Sequence, residues 1–221
     1  MTCLNCKSDK FKKEFKSFSG VNFKICAKCK CVYQDPIIET NYSDSYWQGA
    51  IDRDGIQRDF TTERNFKIKN WYGDIINFLN KDKKKLSILD IGCGLGFFLS
   101  GLNNNYIKHG IESSKFATDF AKKNFSEINI INGAYQDIKN FNKKFDIIMF
   151  YHVIEHLQNP PEAIKYIKEH LKKDGILIIG TPNTESFVAK FFGKNFRHYT
   201  YDHPCLYTES ALITLLKENN F

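Results

Sequence analysis

The stretch Leu86–Gly96, LSILDIGCGLG, is an apolar run that closes on Asp90 and then on Gly92, Gly94 and Gly96 at alternate positions. Bounded by the polar KDKKK on one side and glycines on the other, it predicts a strand buried on both faces, as in a parallel sheet. The glycines let the backbone turn sharply after the strand and let a ligand lie against the main chain with no Cβ in the way. A dinucleotide fingerprint, G-x-G-x-x-G, needs glycine at 97, where this chain has Phe97. The loop therefore suits a cofactor without a pyrophosphate.

Outward from this loop the pattern is strand–helix alternation, which predicts an α/β fold with a doubly wound, Rossmann-like sheet. YIKHGI, EINII, FDIIMFY and Gly175–Ile179 read as the second to fifth strands. Helices are expected from about Leu95, over Lys115–Lys123, from Pro160-Pro161, and from Thr208 to about Asn219. Upstream, Ile68, Trp71, Ile75, Ile76 and Leu79 recur at helical spacing and predict one helix from about Phe60 to Asn80. The domains expected are a cysteine module at 1–34, a linker and helical lead-in at 35–85, and the α/β domain at 86–221. The aromatic stretch Tyr42–Trp47 is either a lid over a site or packing between modules.

Glu112 ends the second strand, 20 residues after Gly92, in HGIESS. A carboxylate there can accept hydrogen bonds from both hydroxyls of a ribose. The ordered set LDIGCGLGFFL, GIESS, GAYQDI, FDIIMFYHVIEHL, LKKDGILIIGTPN and ALITLLKENNF resembles the successive motifs of class I S-adenosylmethionine-dependent methyltransferases. Within them it is most similar to the branch of ubiquinone-biosynthesis O-methyltransferases, and the cysteine-rich start resembles bacterial sugar C-methyltransferases. The resemblance implies strand order 3-2-1-4-5 followed by a terminal 7-6 hairpin, which is absent from this sequence, so the domain is expected to be C-terminally incomplete. It also implies that Asp90, Gly92 and Gly94 contact the amino-acid end of the cofactor, that Glu112 holds the ribose, and that Asp137 reaches the adenine. Phe150, Tyr151 and His152 would face the sulfonium and the methyl acceptor. Methyl transfer needs alignment of nucleophile and methyl carbon, and often a base. His203, His152 and His156 are the candidates, in that order. The ubiquinone branch carries E-x-x-E-H where this chain has His152-x-x-Glu155-His156. The change of the first residue puts metal assistance in question, although two histidines and a glutamate suffice to bind a metal.

Five of seven cysteines fall in the first 31 residues, and no apolar leader precedes them. A chain read as cytoplasmic does not use such a cluster for disulfides. Cys3-x2-Cys6-x19-Cys26-x2-Cys29 instead matches two C-x-x-C knuckles closing on one structural Zn²⁺, leaving Cys31 surplus. Residues 1–34 hold eight Lys against Asp9 and Glu14, so they carry +6 of the formal +7. Lys outnumbers Arg 28 to 4, which suits a solvated surface better than bidentate phosphate clamps. No apolar run approaches the ~20 residues of a membrane span. The expected function is methylation of O or C on a small metabolite, phosphorylated ones included, such as a sugar, nucleotide-sugar or quinone. The alternatives are a methyltransferase of RNA or another macromolecule that uses the basic module for binding, and a non-catalytic interaction protein that retains the fold.

Overall fold

A computed structural model describes residues 1–38, 46–51 and 57–221; Tyr42–Ser45 of the aromatic lead-in lie outside the described residues. In chain order the elements are β1 (Phe11–Lys16), β2 (Asn22–Cys26), β3 (Val32–Gln34), β4 (Gln48–Ile51), β5 (Gln57–Asp59), α1 (Arg64–Asn70) and α2 (Gly73–Leu79). Then come β6 (Leu86–Ile91), α3 (Phe97–Gly101), β7 (Tyr106–Glu112), α4 (Lys115–Asn124), β8 (Ile128–Asn132) and β9 (Phe145–Tyr151). The last are α5 (Pro160–His170), β10 (Leu171–Gly180), α6 (Phe187–Phe192), β11 (Cys205–Leu206) and α7 (Glu209–Glu218). They pack as two compact units, one of Tyr42–Phe150 with His170–Ile178, the other of Met1–Asn41, Tyr151–Glu169 and Ile179–Phe221.

The first unit is built on a five-stranded sheet in the order β10-β9-β6-β7-β8, the 3-2-1-4-5 arrangement expected. β6 pairs in parallel with β7 (Leu89↔His109) and with β9 (Leu89↔Ile148), so it is the central strand. Ile88 and Leu89 are fully buried there, as a strand flanked on both sides must be. The predicted helix over Phe60–Asn80 is instead a 3-10 turn at Phe60–Thr62 followed by α1 and α2. The break falls at Trp71-Tyr72, whose amides both turn back to the Lys67 carbonyl (2.9 and 3.1 Å), just before Gly73. Glycine inside a helix costs about 1 kcal/mol, and the break lets Ile68 and Ile76 both close on Gly101 of α3, where a Cβ would meet Ile76 at 2.6 Å. The helix expected from Leu95 is only five residues long and starts after Gly96.

The second unit carries an antiparallel sheet in the order β1-β2-β3-β11, with Cys205↔Tyr33 and Leu206↔Val32 in register. Its apolar core joins Phe23, Val32 and Leu206 to Ala189, Phe196 and Tyr199, with Ile25 at the edge. Phe23, Val32 and Tyr33 of the cysteine module are thus buried, with Ile25 half-buried beside them. Pro160 opens α5, and the Thr208 hydroxyl caps α7 by accepting from the Ala211 amide at 3.0 Å. Among the described residues no helix is long and apolar enough to cross a membrane.

Candidate active site

In the sheet unit, the loop after β6 and the end of β7 are locked together by one side chain. The Glu112 carboxylate accepts the Gly94 amide on Oε2 (2.9 Å) and the Ser114 amide on Oε1 (2.8 Å). Its own carbonyl accepts from the Asn132 side chain and the Gly133 amide, each at 2.9 Å, which fixes the end of β7 to the end of β8. Gly94 holds φ +52°, a left-handed conformation that glycine adopts without the penalty other residues incur. Asp90, the last acidic residue before the glycines, is 4% exposed. Burial first, and then the Glu112 charge, push its carboxyl well above the usual carboxylate range. No hydrogen bond from a described residue reaches it.

These groups fit S-adenosylmethionine. The buried, undonated Asp90 carboxyl asks for a cationic donor, which the ammonium of the amino-acid end supplies. Glu112 Oε2 accepts only the Gly94 amide, while Oε1 accepts the Ser114 amide and the Ser113 hydroxyl (3.3 Å), so of the about four lone pairs a carboxylate offers, one on Oε2 remains for a ribose hydroxyl. Gly92, also at positive φ, and Gly94 place no Cβ beside the two acids, and the Trp47 ring lies over Gly94. Asp137 lies in the 3-10 turn Tyr135–Phe141 that follows β8, where its carboxylate accepts the Ala134 amide at 3.0 Å and the Asn140 side chain at 3.3 Å. It therefore braces its own turn with part of its acceptor capacity. Phe150 is fully buried in β9. Sequence reasoning missed Asn132 and Ser114; the latter was legible as a Ser preceding a helix, and it caps α4 through the Ala117 amide (3.2 Å).

The three histidines belong to the other unit, around Glu155, which is fully buried. His152 follows β9 with φ +55°, a strained conformation for a residue with a Cβ. Its Nδ1 donates to Glu155 Oε1 at 3.0 Å, and Thr181 donates to Oε2 at 3.0 Å. Burial opposes ionisation of Glu155, but the His152 hydrogen bond and the neighbouring His156 outweigh it and hold the carboxyl below its usual range. His156 Nδ1 lies 2.7 Å from the Asp202 carbonyl and His203 Nδ1 2.8 Å from the His198 carbonyl. A carbonyl only accepts, so each ring donates from Nδ1. Burial, then His156, push His203 down to about 4. Glu155, His156 and His203 each offer an atom within 4.8 Å of the others, a second set able to hold a cation.

The four predicted zinc ligands also converge. Cys3 and Cys29 sulfurs are 3.6 Å apart, Cys6 and Cys26 sulfurs 3.5 Å, and all four lie within 4.8 Å of one another. Tetrahedral Zn–S bonds of about 2.3 Å place sulfurs a little under 4 Å apart. The two knuckles share one backbone course. Lys7 (φ +58°) and Lys30 (φ +65°) each follow the second cysteine, and their amides return to Cys3 and Cys26 carbonyls at 2.9 and 3.2 Å. Burial pushes the Cys6 thiol up to about 11, while the hydrogen bond from Cys3 holds the Cys29 thiol far below its ordinary value. Cys31 is outside this set of four but beside it: its sulfur is 2.9 Å from that of Cys205 and also interacts with Cys3 and Cys29.

Residues 64–221 match a family model described as a methyltransferase domain. The chain belongs to this family of methyltransferase domains. It is 31% identical over 167 residues to a ubiquinone biosynthesis O-methyltransferase of Rickettsia prowazekii, covering 70% of this chain and 62% of the relative. It is also 30% identical over 151 residues to an uncharacterized protein of Methanocaldococcus jannaschii, 68% and 71% of the two chains. The chain thus spans about three fifths of the Rickettsia relative's length. Among solved structures, a plantazolicin methyltransferase in complex with a desmethyl analogue and S-adenosylhomocysteine superposes with TM-score 0.56 at 23% identity, over 70% of this chain and 66% of that one. That likeness shows the shared fold.

Proposed function

We propose that the chain is an S-adenosylmethionine-dependent methyltransferase that methylates O or C of a small metabolite, a sugar, nucleotide-sugar or quinone-like compound. The observation that carries this reading is the Glu112 carboxylate bonded to the Gly94 amide, beside an Asp90 carboxyl that no described residue donates to. Bound there, S-adenosylmethionine supplies an electrophilic methyl group on a sulfonium. Asp90 holds the ammonium, Glu112 the ribose, and Asp137 with its remaining lone pairs the adenine amine; buried Phe150 gives the strand end its apolar floor. The relatives named for small-molecule methylation support the substrate class.

His152 is the base in this reading, ahead of His203 and His156. Its Nε2 takes the acceptor's proton while Nδ1–H stays on ionised Glu155, which stabilises the imidazolium formed. His203, protonating only near pH 4, is a much weaker base at neutral pH. The four knuckle cysteines hold a structural zinc.

The test supplies methyl-labelled S-adenosylmethionine and the full-length protein to fractionated host extract. Label in the low-mass fraction is expected. Label only in nuclease- or protease-sensitive material would replace the substrate class with a macromolecule.

A further inference from the structure

The aromatic lead-in to the sheet unit touches the Glu112 cradle through Trp47. Trp47 stands immediately before β4, and its carbonyl accepts the Phe60 amide (3.1 Å) just beyond β5, so it sits at the mouth of a two-stranded hairpin. Its indole Nε1–H donates to Ser114 Oγ at 3.0 Å. The far edge of the same ring lies over Gly94, where an added Cβ would be 3.1 Å from Cη2 and 3.5 Å from Cζ3. Ser114 and Gly94 are the two residues whose amides hold the Glu112 carboxylate. The contacts close a ring: Trp47 to Ser114, Ser114 to Glu112, Glu112 to Gly94, and Gly94 back to Trp47.

Packing alone does not require this arrangement. The apolar cluster beneath it, Leu95, Phe97 and Ala117, is also covered by Phe60, Phe116, Phe120 and Phe125. A hydrogen-bonded indole set against bare glycine backbone and one residue from a buried acid is the surface that a flat, partly polar ligand meets. Tyr46 backs the ring edge-on at 5.1 Å and stacks on Phe60 at 5.5 Å, which limits the indole's freedom to swing away.

We propose that Trp47 is a cofactor-contacting residue: its indole closes the adenosyl slot between the glycine loop and Glu112, and Ser114 fixes the ring's angle. This rests on the S-adenosylmethionine reading above. The wall excludes water from the Glu112–ribose hydrogen bonds, so its removal weakens binding without touching the polar groups themselves.

The chain has two tryptophans, Trp47 and Trp71. In Trp71→Phe protein, Trp47 is the sole indole, and titration with S-adenosylhomocysteine is expected to shift or quench its emission along the calorimetric binding curve. Calorimetry on Trp47→Ala should show affinity lowered about tenfold or more, with Trp47→Phe, which keeps a ring face, within about threefold of wild type. Binding that leaves Trp47 emission unmoved, or an affinity for Trp47→Ala that is unchanged or higher, overturns the proposal while the cofactor assignment stands. No binding of S-adenosylhomocysteine to the wild-type chain overturns both.

Discussion

Replacing Glu112 by Gln is the sharpest perturbation of the cradle, because one carboxylate serves both the fold and the ligand. An amide has a single acceptor oxygen, so it can keep the Gly94 amide or the Ser114 amide, now at 2.9 and 2.8 Å, but not both. The other N–H then faces the Gln amide's own NH2 group. Hydrogen bonds to charged groups contribute about 1.5–3 kcal/mol and neutral ones about 1 kcal/mol. Relief of a buried charge offsets part of that difference, since Glu112 is 7% exposed. The net loss is about 2 kcal/mol of stability, or a fall in Tm of about 4–8 °C for a chain of this size. On the ligand side, ribose hydroxyls lose their charged acceptor, and about 2 kcal/mol there is roughly a thirtyfold rise in Kd for S-adenosylhomocysteine. The clean assay is a cycle by calorimetry with S-adenosylhomocysteine and its 2′,3′-dideoxy analogue on both proteins. The Glu112→Gln penalty is expected with the hydroxylated ligand and should nearly vanish with the analogue. Equal penalties for both ligands would mean that Glu112 acts only by shaping the loop, and a Tm within 1 °C of wild type would refute the hydrogen-bond accounting.

Three further outcomes follow from the same geometry. Asp90 has a raised folded-state carboxyl, so its contribution to stability is full below the ordinary unfolded value of about 4 and is lost as pH rises through the folded one. Binding of an ammonium favours the ionised form, so affinity for S-adenosylhomocysteine should fall as pH drops through that raised value. Asp90→Asn should flatten this slope, weaken binding, and leave the Tm at neutral pH equal or higher. Cys26→Ser should abolish stoichiometric zinc measured by mass spectrometry and destabilise the N-terminal strands, whereas Cys31→Ser should retain one equivalent; zinc lost from both would break the ligand set. His152→Ala should lower kcat about 10²–10⁴-fold with the Kd for S-adenosylhomocysteine unchanged, and an undiminished kcat would remove His152 from proton transfer.

The central strands β6 and β9 were legible because each is a largely apolar run, as burial on both faces requires, whereas β7, β8 and β10, which carry Lys108, Asn129 and Lys172, were legible from the strand–helix alternation around them. Glu112 was legible from its distance to the glycine loop, and the cysteine knuckles from their paired spacing. What escaped reading depends on contacts between distant residues. β11 is two residues long and carries no periodicity, so nothing in Cys205-Leu206 announces Val32-Tyr33 as its partner. The same pairing brings Cys31 to Cys205, which spacing alone could not show. Tertiary packing of Ile68 and Ile76 on Gly101 broke a helix that the apolar period ran through. Trp47 was visible only as part of an aromatic stretch, since its placement over Gly94 depends on the hairpin that follows it.

The pairing of β3 with β11 also sets an order of events for a chain emerging from the ribosome. Cys31 and Cys205 are 174 residues apart in sequence. The knuckles can gather metal as soon as Cys29 is exposed, but β3 waits with one edge open until almost the whole described chain has been made. At about 5–20 residues per second that wait lasts roughly ten to thirty seconds. Throughout it the buried faces of Val32 and Phe23 lack Leu206 and Phe196. The sheet is therefore a late-completing structure although three of its strands precede the sheet unit in sequence, and a nascent chain stalled between β3 and β11 would display an unpaired edge of the kind chaperones recognise.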